Sequence, residues 1–320
     1  MHPLILSTAN YGYFASLIAG KIPNAELITT TRKRFPGGER YFRMDIETRD
    51  QLFGRNVIVV VGGCYDADDD FNEAVRIGST AASKGATRVT YLFPFLGYST
   101  MEREKVAGEV VTAKILAKML SKLSQGDLRN AFFFLDLHTA GLINYFEGDC
   151  LRDELPGEET LSYAFEQLGL QNFMFASADL GRPRVVEFFA DRYRTHMAFV
   201  SKKRVFDKTH IEAVIGEVRG QVVVIYDDMI RSTTTLVDAA KAYLDRGAKE
   251  VYAVASHLAF DNENAIRLLE DSPIVKVVST NSHCMSQHPL VRTSKKIIVE
   301  DVSHLFARAI MKLNGVNTCD

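Results

Sequence analysis

Two adjacent carboxylates, Asp227 and Asp228, are followed by a guanidinium at Arg231 and by hydroxyls at Ser232, Thr233, Thr234 and Thr235. The residues before it, VVVIY at 222–226, are apolar throughout, and TLVDAA at 235–240 has the spacing of a helix with one apolar face. The cluster therefore falls in a turn between a buried strand and a helix. Paired acids at such a strand end can hold the vicinal hydroxyls of a ribose, or a magnesium ion, and the turn offers N–H groups and hydroxyls to a phosphate. Capping the helix would need only one of these hydroxyls.

Other strand ends carry polar groups as well. FFFLDLHTAG (132–141) delivers Asp136 and His138 at alternate positions, which on an extended strand share a side. His138 is thus a candidate metal or phosphate ligand, with a satisfied structural histidine as the open alternative. FMFASADLGRPR (173–184) ends in Asp179, Arg182 and Arg184, and Asp179 is placed to share magnesium with His138. AFVSKKRV (198–205) brings Lys202, Lys203 and Arg204 to the end of a short strand. A flap carrying that charge suits the transfer of a phosphoryl group, whose oxygens must be neutralised. A solvated basic turn is the plainer reading of the trio taken alone. The chain has no Walker P-loop, no kinase glycine-rich loop and no G-x-S-x-G elbow.

Positioning these groups requires strands buried on both faces. NVIVVVGG (56–63), AFFFLDL (131–137) and QVVVIYDD (221–228) are such runs, and they alternate with helical patterns at 70–86, 109–123, 183–194 and 235–248. That rhythm predicts an α/β fold with parallel sheets flanked by helices. A helix ending in Gly-Ala before a strand occurs at SKGATRVTYLFPF and again at DRGAKEVYAVASH. This suggests an internal duplication, although ordinary helix-to-strand punctuation gives the same pattern. The acidic EGDCLRDELPGEETLS (147–162), with Pro156 and Gly157, separates two sets of strands. The expected domains are 1–150 and 151–299, with a helix over 300–320 packing back onto one of them.

The 320 residues include 38 basic and 40 acidic side chains, so no cationic field draws the chain to nucleic acid. The apolar runs are strand-length, so no membrane span is expected. Four scattered cysteines form neither a metal motif nor a disulfide framework, which fits a reducing, cytoplasmic setting.

Taken in order, these segments resemble the ribose-phosphate pyrophosphokinase (phosphoribosyl pyrophosphate synthetase) family over nearly the whole chain. RFPGGERYFR (34–43) is similar to its adenine loop, PFLGYSTMEREK (94–105) to its ATP loop, and LDLHTAGLINYF (135–146) to its Asp-Leu-His segment. SADLG, the KKR stretch and YDDMIRSTTT follow in family order. The resemblance implies two phosphoribosyltransferase-like domains, assembly into dimers and hexamers, and magnesium-dependent transfer of the diphosphate of ATP to the anomeric hydroxyl of ribose 5-phosphate. It also assigns roles. His138 and Asp179 match magnesium-associated positions, and Lys202 and Arg204 match the flap pair that stabilises the transferring phosphate. Asp227 and Asp228 match the sugar-binding acids, and Ser232, Thr233, Thr234 and Thr235 lie where the 5′-phosphate loop belongs. Phe35 and Glu39 match adenine contacts reaching across a subunit interface.

Two departures matter. The family's phosphate loop reads close to Asp-Thr-Gly-Gly-Thr, whereas here a guanidinium, Arg231, replaces the acid and threonines replace the glycines. Glycine lets the backbone approach an anion closely, while an arginine adds bidentate phosphate contact. The combination suits an acceptor with more than one phosphate at its 5′ end, such as ADP-ribose, which would place the reaction in NAD metabolism. At Ser99, Thr100 and Met101 the family's ATP-contacting Arg-Gln pair is missing, with Arg103 nearby as its replacement. The loss also admits a catalytically silent regulatory subunit.

Overall fold

The computed structural model describes residues 2–48, 50–123, 125–178, 183–205 and 208–315, with the backbone alone at 183–184, 202–205 and 208–210. Contacts divide the chain into two compact units, Met1–Pro156 with Val302–Asp320, and Gly157–Asp301.

The first unit is built on a six-stranded sheet. Its strands are β1 (Leu4–Ser7), β2 (Glu26–Leu27), β5 (Asn56–Val60), β6 (Arg88–Phe93), β7 (Ala131–Leu135) and β8 (Leu151–Leu155), in the order β2-β1-β5-β6-β7-β8. All neighbours are parallel. β3 (Thr30–Arg34) and β4 (Arg40–Met44) form a separate antiparallel hairpin. The helices are α1 (Gly12–Ala19), α2 (Ala67–Ser83) and α3 (Thr112–Ser121). Register explains much of the core. Tyr91 and Phe93 of β6 lie opposite Phe132 and Phe134 of β7, and the rings stack at 5.2 and 5.1 Å between centroids.

The acidic segment read as the junction contributes β8, whose Leu151 to Leu155 pair with Ala131 to Leu135. Its charged side chains fit an edge strand, where solvent covers the outer side. The first unit accordingly runs on to Pro156 rather than stopping at 150.

Among the described residues the second unit holds seven strands: β9 (Phe173–Ser177), β10 (Met197–Val205), β11 (Lys208–Ile215), β12 (Val222–Met229), β13 (Glu250–His257), β14 (Val277–Thr280) and β15 (Ile297–Glu300). Their order is β11-β10-β9-β12-β13-β14-β15, with only the β10–β11 pair antiparallel. Its helices are α4 (Glu158–Glu166), α5 (Pro183–Tyr193), α6 (Thr234–Asp245), α7 (Glu263–Glu270) and the single turn α8 (Pro289–Arg292). The final helix α9 (Ser303–Leu313) belongs to the first unit, where Phe306 meets Phe14 of α1 edge to face at 5.6 Å. Among the described residues no helix is long and apolar enough to cross a membrane.

β12 lies centrally, between β9 and β13, and its first five residues are buried. A helix that follows it must therefore start at the carboxyl edge of a parallel sheet, where ligands gather. α6 is also fixed from below, because the buried Tyr243 hydroxyl donates to the Ser177 carbonyl at 2.7 Å, joining the helix to the end of β9.

Candidate functional site

In the second unit, β12 carries its ladder through Met229, and the Ile230 N–H donates to the His257 carbonyl at 2.9 Å. Asp227 and Asp228 thus sit on the last rungs of a strand, where consecutive side chains point to opposite faces. Asp227 is half-buried and accepts the Asp228 N–H at 2.9 Å, while Asp228 is only 3% exposed. The two acids stand in different environments, with Asp227 the more open.

The loop then turns at Thr233, whose φ of 69° is left-handed. A β-branched residue is strained there, by about 1–3 kcal/mol. The Thr233 hydroxyl is buried and donates to the Ala265 carbonyl at 2.9 Å, an anchor that glycine could not supply. Thr233 was expected among the phosphate-facing hydroxyls, but its side chain turns inward because Ala265 of α7 offers an acceptor there. Ser232, Thr234 and Thr235 remain exposed at the start of α6, as does Arg231, whose Nε donates to Asp261 Oδ1 at 3.2 Å.

The first unit places its candidates on three separate segments. β7 stops at Leu135, and Asp136 takes a φ of 39°. That backbone turn ends the alternation that was expected to put Asp136 and His138 on one side. The turn is held by the Leu137 N–H, which donates to Glu154 of β8 at 2.6 Å, and His138 beyond it is half-buried. Phe35 and Glu39 close the β3–β4 hairpin, with the Phe35 N–H donating to the Glu39 carbonyl at 2.8 Å. Phe35 is 48% exposed and meets Tyr41 edge-on. Arg103 is largely exposed, with Nε 3.3 Å from the buried Glu102 carboxylate, and Ser99 is buried. Lys202 and Arg204 lie on β10 opposite Ile211 and Thr209; their side chains, and all of Asp179, fall outside the described residues.

Asp70, which the sequence reading passed over, marks another strand end. The run of acids at 66–70 resembles plain helix capping, yet Asp70 is 2% exposed at the start of α2. Its carboxylate accepts N–H bonds from Gly63 at 3.1 Å and Cys64 at 3.2 Å, and one from the Asn10 amide at 3.3 Å. It floors a cleft of about 390 Å³ whose rim includes Arg32, Arg40, Asp69 and Glu73. Arg32 is engaged by Glu73 at 2.6 Å, and Arg40 pairs with Asp69.

Burial, reinforced by Cys64 nearby, pushes the Asp70 carboxyl up to about 6 despite these hydrogen bonds. A carboxyl raised on folding weakens the folded state as pH rises from the ordinary carboxylate range through 6, and the full cost is present above 6. Asp70→Asn gives up the Asn10 bond but carries no charge. Its stability relative to the parent should therefore rise by about 1–3 kcal/mol between pH 4 and pH 8. Thermal melts of both proteins across that range check this, and a constant difference would exclude the charge cost.

Comparison with known proteins gives two matched stretches of the chain. The N-terminal domain of ribose phosphate pyrophosphokinase matches residues 4–123, and the phosphoribosyl synthetase-associated domain matches 183–318. The first span contains Phe35, Glu39 and Arg103, and the second contains Lys202, Arg204 and the 227–235 cluster. A ribose-phosphate pyrophosphokinase of Helicobacter hepaticus is 27% identical over 310 residues, 97% of this chain and 95% of its own. One from Gloeobacter violaceus is 28% identical over 285 residues, 88% of this chain and 82% of its own. The crystal structure of phosphoribosylpyrophosphate synthetase from Mycobacterium smegmatis superposes with a TM-score of 0.86 at 22% identity, covering 99% of this chain and 100% of that one.

Proposed function

Because the chain belongs to the ribose-phosphate pyrophosphokinase family and is a transferase of that kind, we propose that it moves the β,γ-diphosphate of ATP onto the anomeric hydroxyl of a ribose 5-phosphate moiety. The C1 oxygen attacks the β-phosphorus, the bond from that phosphorus to the α-phosphate oxygen breaks, AMP leaves, and the hydroxyl proton passes to solvent. The observation that carries this reading is the β12–α6 connection. It sets Asp227 at the end of a buried strand and exposes Ser232, Thr234 and Thr235 where the chain enters α6. Asp227 would hold ribose hydroxyls, the loop the 5′-phosphate, and Lys202 and Arg204 the transferring group.

Magnesium is a hard cation that takes oxygen donors, and the carboxylate of Asp227 at the end of β12 offers donors of that kind. By the family resemblance His138 and Asp179 are each proposed as magnesium-associated positions, where the ion would neutralise charge on the transferred diphosphate; Asp179 falls outside the described residues. Phe35, Glu39 and Arg103 are proposed for the ATP end.

Arg231 favours a second acceptor. Its Nε is taken by Asp261, while among the described residues its two terminal nitrogens have no partner, and its side chain is 53% exposed. A free guanidinium fork at a phosphate loop suits an acceptor whose 5′-phosphate carries a further phosphate, such as ADP-ribose. Incubation with ATP, magnesium and either ribose 5-phosphate or ADP-ribose, with AMP measured, tests both readings. AMP is expected with at least one acceptor. If neither gives AMP above background, the transfer reading fails and a silent partner subunit of an active synthetase takes its place.

A further inference from the structure

We infer that Asp261 is a specificity-determining residue, positioning the Arg231 guanidinium for the second phosphate of a 5′-diphosphate acceptor; the inference rests on the second acceptor reading above. The segment 261–265 grips the loop 231–233 at three points. The Asp261 N–H donates to the Arg231 carbonyl at 3.3 Å, Arg231 Nε donates to Asp261 Oδ1 at 3.2 Å, and the Thr233 hydroxyl donates to the Ala265 carbonyl at 2.9 Å. The grip has a firm base, because the Asn262 side chain caps α7 by accepting the Ala265 N–H at 3.2 Å. Glu263, the next carboxylate along, is engaged by Arg267 at 3.6 Å and lies 3.4 Å from His288. Asp261 is therefore the carboxylate given to Arg231 among the described residues.

What this arrangement achieves is direction. An ion pair with side chains 53% and 40% exposed adds little to stability. It does fix which edge of the guanidinium is spent. A carboxylate on Nε leaves the two terminal nitrogens as a planar donor pair, the geometry that a phosphate oxyanion accepts in bidentate fashion. A free arginine would have to order its long side chain on binding, and fixing one such side chain beforehand is worth about a 3- to 10-fold gain in affinity. A single 5′-phosphate is served by Ser232, Thr234, Thr235 and the start of α6, so it gains nothing from this. Arg231 therefore senses what lies beyond that phosphate, and Asp261 sets the aim.

The test compares the parent, Asp261→Ala, Asp261→Asn, Arg231→Ala and the Asp261→Ala/Arg231→Ala double variant. KM and kcat are measured for ADP-ribose and ribose 5-phosphate at saturating ATP, with calorimetric binding of each acceptor giving the same comparison if turnover is absent. Asp261→Ala is expected to raise KM for ADP-ribose about 3- to 10-fold, leaving kcat and the KM for ribose 5-phosphate unchanged. Asp261→Asn, which keeps an acceptor oxygen, should lose less. Adding Asp261→Ala to Arg231→Ala should change nothing more, since no guanidinium remains to position. Equal weakening of both acceptors, no weakening, or an undiminished effect in the double variant overturns the inference. A parent protein that binds ADP-ribose no more tightly than ribose 5-phosphate overturns the acceptor reading itself, whereas a preference that survives in Asp261→Ala removes only Asp261.

Discussion

Lys202→Ala is expected to lower kcat for AMP release about 10²- to 10³-fold, with KM for the acceptor little changed. A diphosphoryl group passing between two oxygens has little covalent chemistry that a side chain could perform, so rate comes from holding the reactants in line and from neutralising oxygens that gain charge. Lys202 lies on β10, whose partner β11 forms the edge of the second unit's sheet. In the proposed mechanism this ammonium would act on the charge that develops during transfer, and its loss should appear in kcat. In the proposed mechanism the acceptor is held by different groups, Asp227 and the loop after β12, so its binding should survive. The measurement is steady-state AMP release at saturating ATP and magnesium, accompanied by a thermal melt. Unchanged kcat would remove Lys202 from the mechanism; a raised KM at constant kcat would move it to ground-state binding.

The β12–α6 connection was readable in the sequence for a physical reason. Five apolar residues in a row followed at once by acids and hydroxyls can be buried only if the chain leaves the sheet at that point, so strand, exit and helix start are all local facts. What failed to show were the properties set by distant partners. Thr233 reads as one more hydroxyl in a row; its inward turn depends on the Ala265 carbonyl, far along the chain. Asp136 and His138 read as neighbours on one strand face, and the break between them depends on Glu154 drawing in the Leu137 N–H from the adjacent strand. Asp70 reads as the last of several capping acids, and only the folded loop of Gly63 and Cys64 closes over it. β8 was hidden because an edge strand can carry an acidic sequence that elsewhere signals a linker. Fold class and the chemical character of the site were local; the direction of individual side chains was not.

Gly78→Ala shows the same division in terms of stability, and it is expected to destabilise the protein by about 1–3 kcal/mol. Gly78 lies in the interior of α2, where helix propensity alone would make alanine the better residue by about 0.5–1 kcal/mol. The packing reverses that sign. A Cβ at this position would lie 1.9 Å from the Tyr91 hydroxyl oxygen and 2.7 Å from the ring carbon bearing it. Tyr91 cannot easily retreat, being fully buried on β6 and stacked on Phe132 with the rings 9° from parallel. Its hydroxyl has no hydrogen-bond partner among the described residues, and burial pushes the phenol above its ordinary range, so the group is held as a neutral, purely steric neighbour. Removing that oxygen should therefore cost little by itself, because a buried hydroxyl without a partner is unfavourable to begin with. Tyr91→Phe is accordingly expected to be near neutral, and in that background Gly78→Ala should lose at least half of its effect, giving a coupling of about 1 kcal/mol or more in a double-mutant cycle. Denaturant melts of the four proteins measure it. If Gly78→Ala alone were as stable as the parent, helix propensity would outweigh the contact and the tight approach of α2 to β6 would not hold.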